Sequence, residues 1–334
     1  MCADKFVIIT TINPFTKAIR KIADLTKYKL ILVGDLKTPP YKNKKLVFLD
    51  VRTQKQLPFS SLKTCPYNSY QRKNIGYLYA IRNGATTIIE TDDDNSPFKN
   101  WGYVQFVPED TNLVLSPRIF NIYSEFTKEK IWPRGFPLEN ILVNYKKRII
   151  SKKNIRVGIW QGLVNGDPDV DAIFRLTSGK QLNFSKKKHK FVLSEGVYCP
   201  FNSQNTVWEK SFFWYLYLPV TVSFRVTDIL RGYIAQRCLW EHGAHLGFTG
   251  ATMLQERNKH NLISDFESEI PCYLFANKII NILNEISLSD SPAYNLEKIY
   301  SRFVKNNIVK NKELSSLKNW IKDLNSFQAS NCWF

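Results

Sequence analysis

Residues 85–95 read ATTIIETDDDN. Ala85 to Ile89 is a short, β-branched apolar run, the pattern of a buried strand. Glu90 and Thr91 end it, and Asp92, Asp93 and Asp94 follow without a break. Adjacent carboxylates repel, and burying each one without a partner costs on the order of several kcal/mol. A hard divalent cation such as Mg2+ or Mn2+ relieves that cost, because it takes carboxylate oxygens and keeps diphosphate oxygens as co-ligands. A strand that delivers Asp-x-Asp at its carboxyl end therefore predicts a metal–nucleotide site at the mouth of an α/β sheet. The competing reading is an acidic turn in solvent.

The flanking sequence supplies the rest of that sheet. Phe6–Thr10 (FVIIT) reads as a first strand, followed by a polar turn and a helix opening near Pro14. Phe15, Ala18, Ile19, Ile22 and Ala23 fall on one face of that helix. Leu30–Val33 and Leu46–Leu49 read as the next two strands, so the order is β-α-β and the crossovers right-handed. Thr10, Thr11, Asn13 and Asp35 stand at strand carboxyl ends, where such sheets bind ligands. Residues 68–83 (NSYQRKNIGYLYAIRN) read as the helix feeding the acidic strand. Arg72 and Lys73 lie in its first turns, where cations oppose the helix dipole; a solvated face or service to an anionic ligand would explain them.

Further on, Leu113–Leu115 and Ile155–Trp160 read as strands, and residues 125–153, with WPRGFPLEN and a basic run, as an excursion from the sheet. Asp167, Asp169 and Asp171 alternate in a turn-prone stretch that lacks the glycine and closing glutamate of an EF-hand. Residues 207–218 are strongly aromatic and read as core rather than as a sugar-stacking platform. Val220–Val226 alternates like a strand, and a helix follows through RGYIAQRCLWEHGAHLGF. The stretch from Arg225 to Glu241 carries Arg225, Asp228, Arg231, Arg237 and Glu241 among bulky apolar residues, where charges are usually paired or functional. His242 and His245 sit one turn apart and read as structural. Three helices, 273–284, 293–304 and 310–324, read as a C-terminal cap. The expected organisation is a unit over 1–270 (donor half about 1–120, acceptor half about 155–270) and a helical cap over 271–334.

Composition narrows the partners. The chain has 334 residues, 14% of them aromatic, and a formal charge of +18, which favours an anionic partner. Lysines cluster at 42–45, 146–153 and 186–190. They are not interleaved with the aromatics that single-stranded nucleic acid requires, so nucleic acid is set aside. The six cysteines include no C-x-x-C pair, which disfavours zinc and redox motifs and fits a reducing compartment. No stretch reaches the roughly 20 apolar residues of a membrane span.

Taken together, FVIITTINPFTKAIRKIA, ILVGDLKTPP, YNSYQRKNIGYLYAIRNGA, IETDDDN, GLVNGDPDVDAIFRLT and the long run from FNSQN to RCLWE resemble the STELLO family of glycosyltransferases. The resemblance is collinear from Phe6 to about Pro271. It implies an α/β fold of the GT-A type, with a mixed, mainly parallel central sheet and a C-terminal helical region. It also implies a nucleotide-sugar donor, UDP-sugar favoured, and a glycan or lipid-linked acceptor. By that resemblance Asp92 and Asp94 hold Mn2+ or Mg2+, with Asp92 and Asp93 among the donor contacts. Thr10, Thr11, Asn13 and Asp35 then hold the nucleoside, and Arg72 and Lys73 face the diphosphate. An inverting enzyme needs a carboxylate base; Asp228 is the first candidate, with Asp167 and Asp169 behind it. A retaining enzyme needs none. Plant members of the family are Golgi membrane proteins. This sequence leads us to expect a stand-alone enzyme on the cytoplasmic side of a membrane, its lysines contacting anionic lipid, in surface polysaccharide synthesis. A nucleotide-sugar mutase and a non-catalytic scaffold are the alternatives; a nucleotidyltransferase is disfavoured because residues 10–17 contain no glycine.

Overall fold

A computed structural model of the chain describes residues 4–25, 27–184, 189–256 and 261–329. The strands are β1 (Lys5–Thr10), β2 (Lys29–Val33), β3 (Leu46–Leu49), β4 (Thr87–Thr91), β5 (Asn95–Pro97), β6 (Thr111–Ser116), β7 (Arg148–Lys152), β8 (Val157–Asn165), β9 (Lys190–Leu193), β10 (Asn205–Glu209) and β11 (His245–Gln255). The helices are α1 (Lys17–Ala23), α2 (Val51–Lys55), α3 (Lys73–Arg82), α4 (Ala172–Ser178), α5 (Phe224–Trp240), α6 (Leu262–Glu285), α7 (Pro292–Lys305) and α8 (Glu313–Ala329).

The strands form one mixed sheet in the order β3-β2-β1-β4-β10-β8-β11-β9-β6-β7, with β5 paired to β11. The run β3-β2-β1-β4 is parallel throughout. Antiparallel pairing enters at β10, which lies between β4 and β8. The two-residue period of the buried strands splits the core between the two faces. Phe6, Ile8 and Ile88 face α3, whereas Val7, Ile9 and Ile89 face α1. On α1 the buried residues are Ala18, Ile19, Ile22 and Ala23, as the periodicity predicts. The helix opens later than Pro14 suggests, because the Thr16 side chain caps it by accepting from Ile19 N.

Gly76 lets α3 approach the sheet closely: a Cβ there would lie 2.6 Å from methyl carbons of both Ile8 and Val33. The feeding helix is shorter than residues 68–83, because a 3-10 turn over Tyr70–Arg72 precedes α3. The carboxylate before the acidic turn, Glu90, is fully buried and is met by Arg231 through Nη1 and Nη2 at 3.0 and 2.8 Å. Trp208 Nε1 donates to it at 2.8 Å, and so does the Tyr77 hydroxyl. Residues 207–218 are core, with Trp208, Phe212 and Phe213 fully enclosed.

Four expectations change. Residues 220–226 are not a strand: Ser223 starts α5, which places Arg225 and Asp228 on a helix. That helix stops at Trp240, and His245 onward is β11, the longest strand of the sheet. His242 therefore lies in the turn after α5 and His245 opens β11, so the two do not share a helix turn. The 125–153 excursion returns to the sheet, because its last residues form β7 beside β6. The boundary at 270/271 falls inside α6, whose Glu269 carboxylate accepts from Arg225 Nε at 2.8 Å and Ala172 N at 2.7 Å. The later helices are tied in equally. Asp323 on α8 accepts from Ser60 and Ser61 N at 2.6 and 2.8 Å, and Glu313 from Val220 and Thr221 N at 2.9 and 2.8 Å. Cys65, Cys199, Cys238 and Cys272 are free, buried thiols, whereas Cys2, Cys332 and Lys186 to Lys188 lie outside the described residues.

Candidate active site

A cleft of about 880 Å³ opens where β1, β2 and β4 end. It brings together Thr10, Thr11, Asn13, Asp35, Arg72, Asp92, Asp93, Asp94, Asp169 and Asp228 from the sequence reading. Lys73 lies beneath its floor, and Asp167 is not part of its lining.

The three consecutive acids are separated by their partners. Asp92 Oδ1 accepts from the Tyr70 hydroxyl at 2.8 Å and from Lys73 Nζ at 3.2 Å. No hydrogen bond falls on its Oδ2 among the described residues. Burial raises the Asp92 carboxyl above its ordinary range, against the pull of Lys73 and Tyr70. Asp93 Oδ2 accepts from the Thr11 hydroxyl and from Asn13 Nδ2 at 2.9 Å. Its backbone carbonyl takes the Thr16 hydroxyl, so it ties the turn after β1 to the acidic turn. Asp94 Oδ2 accepts from Gln255 Nε2 at 3.0 Å. Protein donors thus meet part of the cost that the sequence assigned to a cation alone.

On the β2 side Asp35 is held by two backbone donors, Leu36 N at 2.7 Å and Ser69 N at 3.0 Å. Arg72 touches the cleft lining but is buried, its guanidinium taken up by protein partners. It donates to Cys65 O at 3.3 Å and to the Gln54 side chain, and it stacks 4.6 Å from the Tyr67 ring. Lys73 is wholly buried and turned inward, its ammonium shared by Tyr70, Thr91 O and Asp92.

The opposite wall is built around Arg134. Its Nε and Nη2 reach Asp169 Oδ1 and Oδ2 at 2.8 and 2.7 Å, and its Nη1 and Nη2 reach Asp228 Oδ1 and Oδ2 at 3.1 and 2.9 Å. One guanidinium therefore grips two buried carboxylates, the fork geometry that arginine alone provides. Burial would push the Asp169 carboxyl up; the Arg134 charge and hydrogen bonds outweigh it and hold the group at about 2. Asp228 also accepts from Ser203 N and Oγ at 3.3 Å. Ser203 Oγ meets the Tyr70 hydroxyl at 2.5 Å; with one proton each, the two hydroxyls stand between Asp92 and Asp228, and Ser203 N–H keeps Asp228 bonded when its Oγ donates to Tyr70. Asp167 pairs with Arg175 instead, and Asp171 caps α4 by accepting from Phe174 N at 2.9 Å. The three alternating aspartates are three separate structural devices.

Sequence reasoning missed Arg134, Tyr70, Ser203 and Gln255. Arg134 had left a signal: a single cation enclosed by Trp132, Pro133, Gly135 and Phe136, and Gly135 takes φ +82, a conformation glycine adopts without strain.

The lining sets six carboxylates (Asp35, Asp92, Asp93, Asp94, Asp169 and Asp228) against four guanidiniums (Arg72, Arg134, Arg175 and Arg225) among the described residues. The surplus of +18 therefore does not reside in the cleft.

Known proteins match this chain in two ways. The STELLO glycosyltransferases family matches residues 225–331, from α5 to the last helix. Two Arabidopsis thaliana proteins, named "Probable glycosyltransferase STELLO1" and "Probable glycosyltransferase STELLO2", are each 32% identical over 267 and 264 residues. Both alignments cover 73% of this chain and 34% of the relative, so the chain spans about a third of their length. A crystal structure of a mycobacterial protein superposes with a TM-score of 0.37 at 8% identity over 81% of this chain and 74% of that one, too distant to add to the argument.

Proposed function

The chain belongs to the STELLO family, and on that footing we propose that it is a metal-dependent glycosyltransferase. It moves a sugar, hexosyl or pentosyl, from a nucleoside-diphosphate donor, a UDP-sugar in the first instance, to a glycan or lipid-linked acceptor in surface polysaccharide synthesis. The observation that supports this best is the meeting of the Asp92–Asp94 turn with the carboxyl ends of β1, β2 and β4 in one deep cleft, the place where open α/β sheets take nucleotides.

The donor set fits Mg2+ or Mn2+: it is all hard oxygen, and Asp92 keeps one carboxylate oxygen clear of protein hydrogen bonds. Among the described residues no three acidic, histidine or cysteine groups converge as a complete metal cage. Asp92 and Asp94 would therefore share the cation with diphosphate oxygens and water. Charge points the same way, because six lining carboxylates still outnumber the four guanidiniums and the Lys73 ammonium beneath Asp92, a balance unfavourable to a bare diphosphate. When bound, the cation would act as a Lewis acid on the departing diphosphate.

The chain's own residues do the positioning. Thr11 and Asn13, fixed on Asp93, and Asp35, fixed on backbone amides, present a rigid edge to the nucleoside. Arg72 holds the Tyr67 ring in the wall beside them. Lys73 sets the orientation of Asp92. On the acceptor side Asp228 remains the candidate base. Asp169, gripped by Nε and Nη2 of Arg134 and held below the usual carboxylate range, is the weaker candidate and anchors Arg134, which also pairs with Asp228. Asp167 stands on Arg175, outside the lining.

Calorimetric titration with UDP, GDP and CDP, each with and without Mn2+, tests the reading. Binding of one nucleotide that requires Mn2+ and is lost in Asp92→Asn and Asp94→Asn is expected. Metal-independent binding, or full binding in both variants, would overturn it. A non-catalytic scaffold is the second reading, favoured by the protein donors already found on each of the three acids; it predicts no nucleotide binding at all.

A further inference from the structure

We propose that residues 142–153 form a docking surface for an anionic lipid bilayer. Leu142 is 90% exposed, and Val143, Tyr145 and Ile150 are 45%, 41% and 41% exposed. Lys146, Arg148, Lys152 and Lys153 stand exposed in the same stretch. Lys147 is partly committed to Glu125 at 2.7 Å and is left out of the argument. The segment leaves a 3-10 turn at Leu138–Asn140, passes through a further turn at 141–142 and an irregular run, and ends in β7, at the edge of the sheet, which pairs with β6.

Two features in one stretch define its occupant. Apolar side chains pushed fully into water are costly, and insertion at the boundary of headgroups and acyl chains covers them. Cations beside them gain from a negatively charged leaflet, each by about fivefold in affinity. A second copy of the chain meeting this face would set like charges against each other. A single-stranded nucleic acid would need several stacking rings, and Tyr145 is the one aromatic here. No helix among the described residues is long and apolar enough to cross a membrane. The proposal does not depend on the activity assigned to the cleft, and its failure would leave that reading standing.

The test is co-sedimentation with phosphatidylcholine vesicles, with and without phosphatidylserine, at low and high salt. Two variants accompany the wild type: Leu142→Glu with Val143→Glu, and Lys146→Gln with Arg148→Gln, Lys152→Gln and Lys153→Gln. Every altered side chain is exposed, and unchanged thermal melting confirms that each variant folds. Binding confined to phosphatidylserine vesicles, weakened by salt and reduced tenfold or more in each variant, is expected. No binding to phosphatidylserine vesicles at low salt would overturn the proposal, as would binding that both variants retain. So would a wild-type dimer, in sedimentation velocity, that the Leu142→Glu variant dissociates.

Discussion

Replacing Arg134 by Met tests the architecture of the cleft wall opposite the acidic turn. The substitution keeps much of the side-chain volume but leaves Asp169 and Asp228 without the guanidinium that both share. Both carboxylates are at least nine-tenths buried, and breaking a buried pair by removing one partner costs about 3–5 kcal/mol. The pH dependence supplies a sharper reading. In the wild type Asp169 is held near 2, below its ordinary value of 3.8, a difference corresponding to roughly 2–3 kcal/mol. Because the folded value lies below the unfolded one, that stability is present above about pH 4 and is lost as pH falls through about 2. Without Arg134 the charges of Arg225, 3.9 Å away, and Arg175 still favour the ionised form, but burial, the largest cause, is expected to outweigh them and move the folded value above the unfolded one. The sign then reverses: the variant loses stability as pH rises above about 4 and regains it on acidification. Urea unfolding followed by tryptophan fluorescence at about pH 7 and pH 4.5 reads both effects. A variant within about 1 kcal/mol of the wild type at neutral pH, or a deficit that does not shrink on acidification, would refute the reasoning.

Carbon-13 NMR titration should place Asp171 at about 6, raised chiefly by burial, and Asp169 at about 2; the reverse order would refute the assignment of environments. The raised Asp171 carries a stability loss that sets in as pH rises from about 4 through about 6. Glu90→Ala leaves Arg231 buried without its carboxylate and should cost about 3–5 kcal/mol in chemical unfolding, and a loss below about 1 kcal/mol would show that the pair carries little. Gly76→Ala must push a Cβ against Ile8 and Val33 and should lower stability by about 1–3 kcal/mol, with a neutral result showing that α3 can lift from the sheet. Tyr70→Phe removes the hydroxyl between Asp92 and Ser203 and should weaken Mn2+-dependent nucleotide binding severalfold with little change in melting temperature; unchanged binding would confine Tyr70 to packing.

The parallel half of the sheet is legible because its signals are local. FVIIT, ILVG and TTIIE are β-branched runs with turn residues at their ends, and the α1 stripe has a clean helical period. The acidic turn announces itself by charge alone. The other half resists reading because its elements depend on distant partners. Val220 to Val226 alternates like a strand, yet Ser223 opens α5 and Leu218 is pinned by Asn74 at 2.8 and 2.9 Å. β11 looks like a continuation of the preceding helix until its pairing with β8 and β9 is seen. The Arg134–Asp228 fork joins residues 94 apart, and no short pattern reports such a pair. The sequence could say only that charges inside an apolar helix are paired or functional, and the structure shows Arg225, Asp228 and Arg231 to be paired.

The distribution of charge is where fold and proposed chemistry meet. A basic chain suggests an anion held by its lysines. Yet at the cleft the nearest lysine, Lys73, is buried under Asp92, and the guanidiniums of Arg72 and Arg134 are tied up by Gln54, Asp169 and Asp228. An anionic donor entering such a site finds carboxylates first. On the proposed reading a cation arriving with the donor would reverse that balance and make nucleotide affinity conditional on metal. The lysines on the outer surface remain available for a different anion. If both assignments hold, raising salt releases the protein from vesicles while leaving metal-dependent nucleotide binding comparatively intact, because enclosed charges are screened less than exposed ones. Parallel loss of both with salt would place the two anions on one surface and undo the separation.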